Sequence, residues 1–283
     1  MCGLAMALVG STVVASKLLA AQMDPFAATA WRHALALPVL VGLMQMTRTA
    51  WPRLPARAWA LLVAQAAAGS VGYTVLLMWG TRLASAADAG VMAGTLPAVS
   101  GLLAVLALGE RPHARLLGAL ALATLGVLAL QAPGQAGASS PLGLALVAAA
   151  VVCESAFILL HKRLTQPVAP LALSTLMSGL GLLLALPLAA VTATSADLQP
   201  NAAQLQALAY YAWGPTVLGF WLWYAGSQRC TGTQAALSTA LMPVAAVLLS
   251  VVWLGEPLAW GQLLGLGCVV LAVGLAVAPR RPA

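Results

Sequence analysis

Residues Pro97–Glu110 read PAVSGLLAVLALGE, and Pro243–Glu256 read PVAAVLLSVVWLGE, 146 positions later. Seven of the 14 positions are identical, among them the proline and the closing Gly-Glu pair. Agreement at Leu or Val carries little information in an apolar chain; agreement at Pro and Gly-Glu in fixed spacing carries much more. The repeat predicts two homologous halves. The uncharged Gly/Ser/Pro-rich run QAPGQAGASSP at 131–141 marks the division into residues 1–135 and 136–283.

Of the 283 residues, 62% are hydrophobic and 7% are charged, where soluble domains carry roughly 25% charged residues. An aqueous fold is excluded. The apolar runs have the length a helix needs to cross a hydrocarbon core, and no period-2 alternation suggests a membrane barrel. The expected fold is an all-α membrane protein of ten transmembrane helices, near 2–21, 26–46, 57–80, 86–108, 115–131, 141–160, 170–191, 205–227, 233–254 and 259–278. Met1–Ala21 lacks a positive leader and runs into a second spanning segment, so it reads as the first helix rather than a signal peptide.

Ten of the 13 Lys and Arg lie in or beside alternate loops; the exceptions are Lys17, Arg32 and Arg82. The positive-inside rule makes that richer side cytoplasmic and puts both termini inside. Five helices per half is an odd number, so the halves enter the membrane from opposite sides as inverted repeats, the usual plan of a secondary transporter. The net charge of +7 sits in short clusters with no basic face, which excludes nucleic acid as a partner. Cys2, Cys153, Cys230 and Cys268 have neither disulfide-framework nor metal-ligand spacing. No cofactor is implied, and with no nucleotide-binding loop the chain itself uses no ATP.

The chain resembles the ten-helix EamA-type branch of the drug/metabolite transporter superfamily. The residues carrying the resemblance are Gly10-Ser11-Thr12, Lys17, Asp24-Pro25 and Arg32, then Pro97 with Leu108-Gly109-Glu110-Arg111, and Pro243 with Leu254-Gly255-Glu256-Pro257. The resemblance implies a bacterial-type inner-membrane carrier, commonly an exporter of amino acids, their derivatives or toxic compounds. It also implies that helices 3 and 8 border a central cavity. Relatives commonly place an aromatic in helix 6 where this chain has Glu154, within Cys153-Glu154-Ser155-Ala156-Phe157.

Glu154 is the leading site candidate. It lies about 9 Å of helix rise from the inner end of helix 6, where a carboxylate facing lipid costs several kcal/mol. It reads as a counter-ion for a substrate amine or as a proton-coupling group; a structural carboxyl is the alternative. Lys17 and Arg32, in the outer half, offer a substrate carboxylate a positive partner, or they snorkel to the interface. Tyr73, Met78 and Trp79 in helix 3, and Trp213, Trp221, Trp223 and Tyr224 in helix 8, stack on substrate or form interfacial belts. Of these, Tyr73, Trp79 and Tyr224 are the expected contacts. Ser11, Thr12, Ser16, Thr95, Gln234 and Ser238 offer small hydrogen bonds or act as interhelical glue. Pro97 and Pro243 interrupt equivalent helices and suit hinges for alternating access, or static kinks. Glu110 and Glu256 read as partners of helix ends that fix packing. Asp24, Asp88 and Asp197 read as solvated caps.

The reading is an inner-membrane exporter of a small amino-acid-like metabolite, an amino acid or an amino-acid-derived opine or metallophore, with proton coupling left open. Lys17 and Glu154 together would suit a zwitterion. The same-fold alternatives are an uptake carrier and a cationic drug efflux pump. An intramembrane enzyme lacks the paired acids or His-Asp set it would need. A monomer is expected, with Gly261 and Gly265 as a dimerisation face if one forms.

Overall fold

The computed structural model describes residues 1–108, 114–129, 139–164, 166–229, 238 and 241–277. Among them there are helices and no strands. In chain order these are α1 (Cys2–Ala20), α2 (Pro25–Met46), α3 (Ala56–Leu83), α4 (Ala86–Ala93), α5 (Leu96–Leu108), α6 (Ala114–Ala129), α7 (Pro141–Lys162), α8 (Pro170–Thr192), α9 (202–227), α10 (Leu241–Leu254) and α11 (Trp260–Val277). Five described helices, α1, α2, α3, α7 and α8, are long and apolar enough to cross a membrane. Their outward faces carry exposed large side chains such as Leu4, Leu43, Leu183 and Val191, the surface hydrocarbon solvates. Glu110, Arg111, His113, Cys230 and Gln234 lie outside the described residues.

Local chemistry sets the boundaries. Asp24 accepts the N–H groups of Phe26 and Ala27, with Pro25 in the first turn of α2, where a missing N–H removes nothing. Asn201 and Gln204 close the start of α9 with reciprocal side-chain bonds. The expected fourth helix is two pieces: α4 ends at Ala93, and α5 resumes at Leu96. Pro97 is thus the second residue of α5, and Pro243 the third residue of α10 as described. Pro97 stands in a first turn, where proline is tolerated, rather than in the middle of a helix; residues 239 and 240, before α10, lie outside the described residues.

Two helices widen to π geometry, α3 over Ala66–Gly72 and α9 over Ala212–Gly219. These starts are also 146 positions apart. In α9 the cause is legible: Pro215 has no N–H to give the Tyr211 carbonyl, and the Thr216 hydroxyl donates to it at 2.9 Å instead.

The helices pack in matched pairs. α1 runs along α10 while α7 runs along α4 and α5; α3 meets α7 and α8 where α9 meets α1 and α2; α2 pairs with α8, α4 with α10 and α6 with α11. Turns 21–24, 84–85, 139–140, 193–201 and 255–259 gather at one end of the bundle, tied by side chains. Asp24 N–H donates to Asp197 at 2.7 Å, the Ser139 hydroxyl and Gln262 amide both donate to Asp88, and Trp31 donates to the Asp197 carbonyl. Asp88 and Asp197 are therefore buried tie points between helices rather than solvated caps.

Candidate functional site

Glu154 lies on α7 between two residues that lock against the π segment of α3. A Cβ built on Gly72 would meet Cys153, and one built on Gly69 would meet the Phe157 ring. This close approach carries the carboxylate into the interior, where Glu154 is 9% exposed. It makes no hydrogen bond or ion pair with another described residue, and it lies within electrostatic reach of Arg32, Tyr73 and Tyr224. A carboxylate left unpaired in such a place costs several kcal/mol.

Arg32, on α2, is also buried. One Nη donates to the Ser70 carbonyl at 2.7 Å and to His33 Nε2 at 2.8 Å. Arginine only donates, so His33 Nε2 accepts, and its Nδ1–H donates to the Ser178 hydroxyl at 3.1 Å. The guanidinium stacks over the Tyr211 ring, 4.7 Å from the centroid. The Arg32 Nε–H and the Tyr211 hydroxyl are both buried without a hydrogen-bond partner among the described residues.

The other expected residues divide cleanly. Thr12 and Tyr73 join the cluster, their hydroxyls 3.3 Å apart. Tyr224 joins it from α9, with its hydroxyl unpartnered among the described residues and its ring 4.9 Å from that of His161. Ser11 accepts from the Tyr210 hydroxyl at 2.7 Å. Trp79 stands apart on the flank, 36% exposed and edge-on to Phe26. Trp213 and Trp221 are likewise exposed, as interfacial or lipid-facing residues would be. Ser238 is half-buried, and its neighbours 230–237 and 239–240 lie outside the described residues.

Lys17 is not part of the cluster. Its ammonium donates to the carbonyls of Thr81 and Ala84, both at 2.6 Å, at the C-terminal end of α3. Arg82 returns the contact, donating to Ala20 and Met23 at the end of α1. Each cation closes the other helix, where free carbonyls and the negative dipole end favour positive charge.

The profile of the EamA-like transporter family matches residues 1–131 and 141–278. The chain belongs to that family. This EamA transporter is 32% identical over 282 residues, 98% of its length and 86% of the relative's, to YetK of Bacillus subtilis, described as an uncharacterized transporter. It is 29% identical over 221 residues, 77% of its length and 74% of the other's, to a "probable terminal-alkyne amino-acid exporter" of Streptantibioticus cattleyicolor. A solved structure named only as a crystal structure of protein shares the fold, with TM-score 0.70 at 21% identity over 97% of this chain and 94% of the other. As an EamA transporter the chain is a multi-pass membrane protein that carries a small molecule, not an enzyme.

The sequence reading of this transporter passed over Tyr211. Its signal was available: Tyr210-Tyr211 stands just before Ala212–Gly219, a stretch that starts 146 positions after Ala66–Gly72. A groove of about 380 Å³ also opens on the flank between α1, α9 and α10, walled by Leu18, Leu19, Tyr210 and Trp253 with Gln22 and Gln204 at its mouth. It reaches Ser11 but holds neither Glu154 nor Arg32.

Proposed function

We propose that this transporter crosses the inner membrane ten times, as inverted repeats of residues 1–135 and 136–283, and exports a small amino-acid-like metabolite by alternating access. The exchange of helix pairs between the halves supports the repeat, as do the π segments that recur at the spacing of the Pro…Gly-Glu motif. The distribution of Lys and Arg supports cytoplasmic termini.

The observation that carries the substrate reading is Glu154, a buried carboxylate near aromatic hydroxyls and without an ion-pair partner among the described residues. In this reading it is the counter-ion of a substrate ammonium, with Tyr73 and Tyr224 within its electrostatic reach and Thr12 beside Tyr73. The name of the Streptantibioticus relative supports an amino acid as the metabolite. Lys17, committed to the end of α3, belongs to the architecture. Pro97 and Pro243 serve as hinge points.

The test is efflux from cells loaded with labelled amino acids and uptake into inside-out vesicles, for wild type, Glu154→Gln and Glu154→Asp. The Gln variant should lose at least about tenfold in rate, the scale of a lost charged contact, and Asp should retain part of it. A Gln variant that transports at the wild-type rate would sink the assignment. Transport only of cations lacking a carboxylate would favour drug efflux instead.

A further inference from the structure

Arg32 is the second charge beside Glu154 in the core, and part of its hydrogen-bonding capacity is unused among the described residues. Its Nη contacts with Ser70 and His33 fix the plane of the guanidinium. His33 is itself held by Ser178, and Gly181 leaves it room, since a Cβ there would meet the imidazole ring. The Tyr211 ring covers one face. With its orientation set, the buried Arg32 Nε–H has no acceptor among the described residues, and the buried Tyr211 hydroxyl has no hydrogen-bond partner among them either. Buried donors of this kind are ordinarily paired, and a buried guanidinium ordinarily has an anion. Glu154 is close enough to act on Arg32 electrostatically, yet it makes no ion pair with it. Two opposite charges held in one core without pairing are an arrangement that a molecule carrying both would complete.

We propose that Arg32, with Tyr211 beside it, is the carboxylate subsite of the transport site, and that the substrate is a zwitterion bridging Arg32 and Glu154, an α-amino acid or a derivative that keeps both charges. This rests on reading Glu154 as the substrate's counter-ion. Arg32 supplies two features Lys17 does not: an unsatisfied N–H and a planar group that carboxylates bind in a fixed orientation. His33 acts as a positioning residue, holding the guanidinium by accepting at Nε2.

The experiment uses the purified full-length protein in nanodiscs and three probes with one side chain: 2-aminopent-4-ynoic acid, but-3-yn-1-amine and pent-4-ynoic acid. Binding is read by calorimetry. Wild type should bind the amino acid at least about tenfold more tightly than the amine, because the amine leaves buried donors unpaired. In Arg32→Gln that preference should fall to about one, while amine affinity stays within roughly threefold or improves once the like charge is gone. Arg32→Lys should keep part of the preference, and Tyr211→Phe, which preserves the stacked ring, should reduce it severalfold. Equal wild-type affinity for amino acid and amine overturns the proposal, as does a preference that survives Arg32→Gln. Glu154→Gln tests the other end separately. If it leaves amine binding intact, the counter-ion reading fails, while the Arg32-dependent preference still decides the carboxylate subsite. Absence of wild-type binding to both amine-bearing probes overturns both.

Discussion

Glu256 closes the helix that begins at Ala86. Its Oε1 accepts the Ala86 N–H and its Oε2 the Ala87 N–H, both at 2.9 Å. The preceding Gly255 makes this reach feasible, with φ +65° and the Glu256 N–H returning to the Ser250 carbonyl at 3.3 Å, a left-handed helix end that favours glycine. The Gly-Glu pair is therefore a turn followed by a cap on another helix, anchoring α10 to α4. Glu256→Ala should cost about 1–2 kcal/mol, the scale of a lost charged N-cap, and lower the melting temperature. Ligand affinity should stay at the wild-type value. A tenfold loss of affinity with unchanged melting would place Glu256 in the transport chemistry after all.

Lys17 and Arg82 hold the ends of α3 and α1 against each other. Replacing either should destabilise the protein by about 1–3 kcal/mol, since hydrogen-bonded carbonyls lose a charged donor. Because the two caps tie the same pair of helix ends, the double variant should cost less than the sum of the singles. Thermal denaturation of Lys17→Met, Arg82→Met and the pair measures this. Substrate selectivity should be the same in Lys17→Met as in wild type, and a lost preference for zwitterions would return Lys17 to the binding site.

What the sequence made legible was the part governed by composition and repetition. Apolar length, the doubled Pro…Gly-Glu motif and a glutamate, Glu154, within an apolar run are all properties of residue type and spacing. The partners of Lys17 were not legible, because the carbonyls of Thr81 and Ala84 meet it from 64 and 67 residues away, and every residue has a carbonyl. Asp88 failed for the same reason. A helix-start aspartate looks like a local cap, but its ligands Ser139 and Gln262 come from two other elements. Tyr211 was lost among many aromatics, since only the π turn of α9 and the approach of α2 give it Arg32 as a neighbour.

Asp197 gives the turn between α8 and α9 a pH dependence. Burial pushes its carboxyl up, but the N–H of Asp24, the N–H and hydroxyl of Thr194, and Arg82 together hold it below its ordinary value of 3.8. A carboxylate whose folded pKa is depressed adds stability above its unfolded pKa and loses it as pH falls through the folded value. Asp197→Asn should therefore melt below wild type at neutral pH, with the gap closing as the pH falls below 3.8. Melting curves of both proteins between pH 7 and about pH 2.5 would show it. A gap that stays constant across that range would mean Asp197 acts by shape alone.

Gly94, in the break between α4 and α5, lies against the ring of Pro243 and against Val269. A methyl at Gly94 would meet the proline ring at 2.8 Å, so Gly94→Ala should cost about 1–3 kcal/mol by overpacking. Pro243→Ala in the same chain should recover part of that cost by removing ring atoms, a coupling that a double-mutant cycle measures. The hinge role makes a separate demand. Pro97 lies in the first turn of α5 and Pro243, 146 positions on, near the start of the described part of α10, and each lacks an N–H to donate toward the preceding turn. Ala at either position restores that donor and lets the helix extend backward. Pro97→Ala and Pro243→Ala should therefore bind substrate with wild-type affinity and transport it severalfold more slowly, because interconversion rather than binding is impeded. Wild-type flux from both variants would leave the prolines as static helix starts, with the movement assigned elsewhere in the bundle.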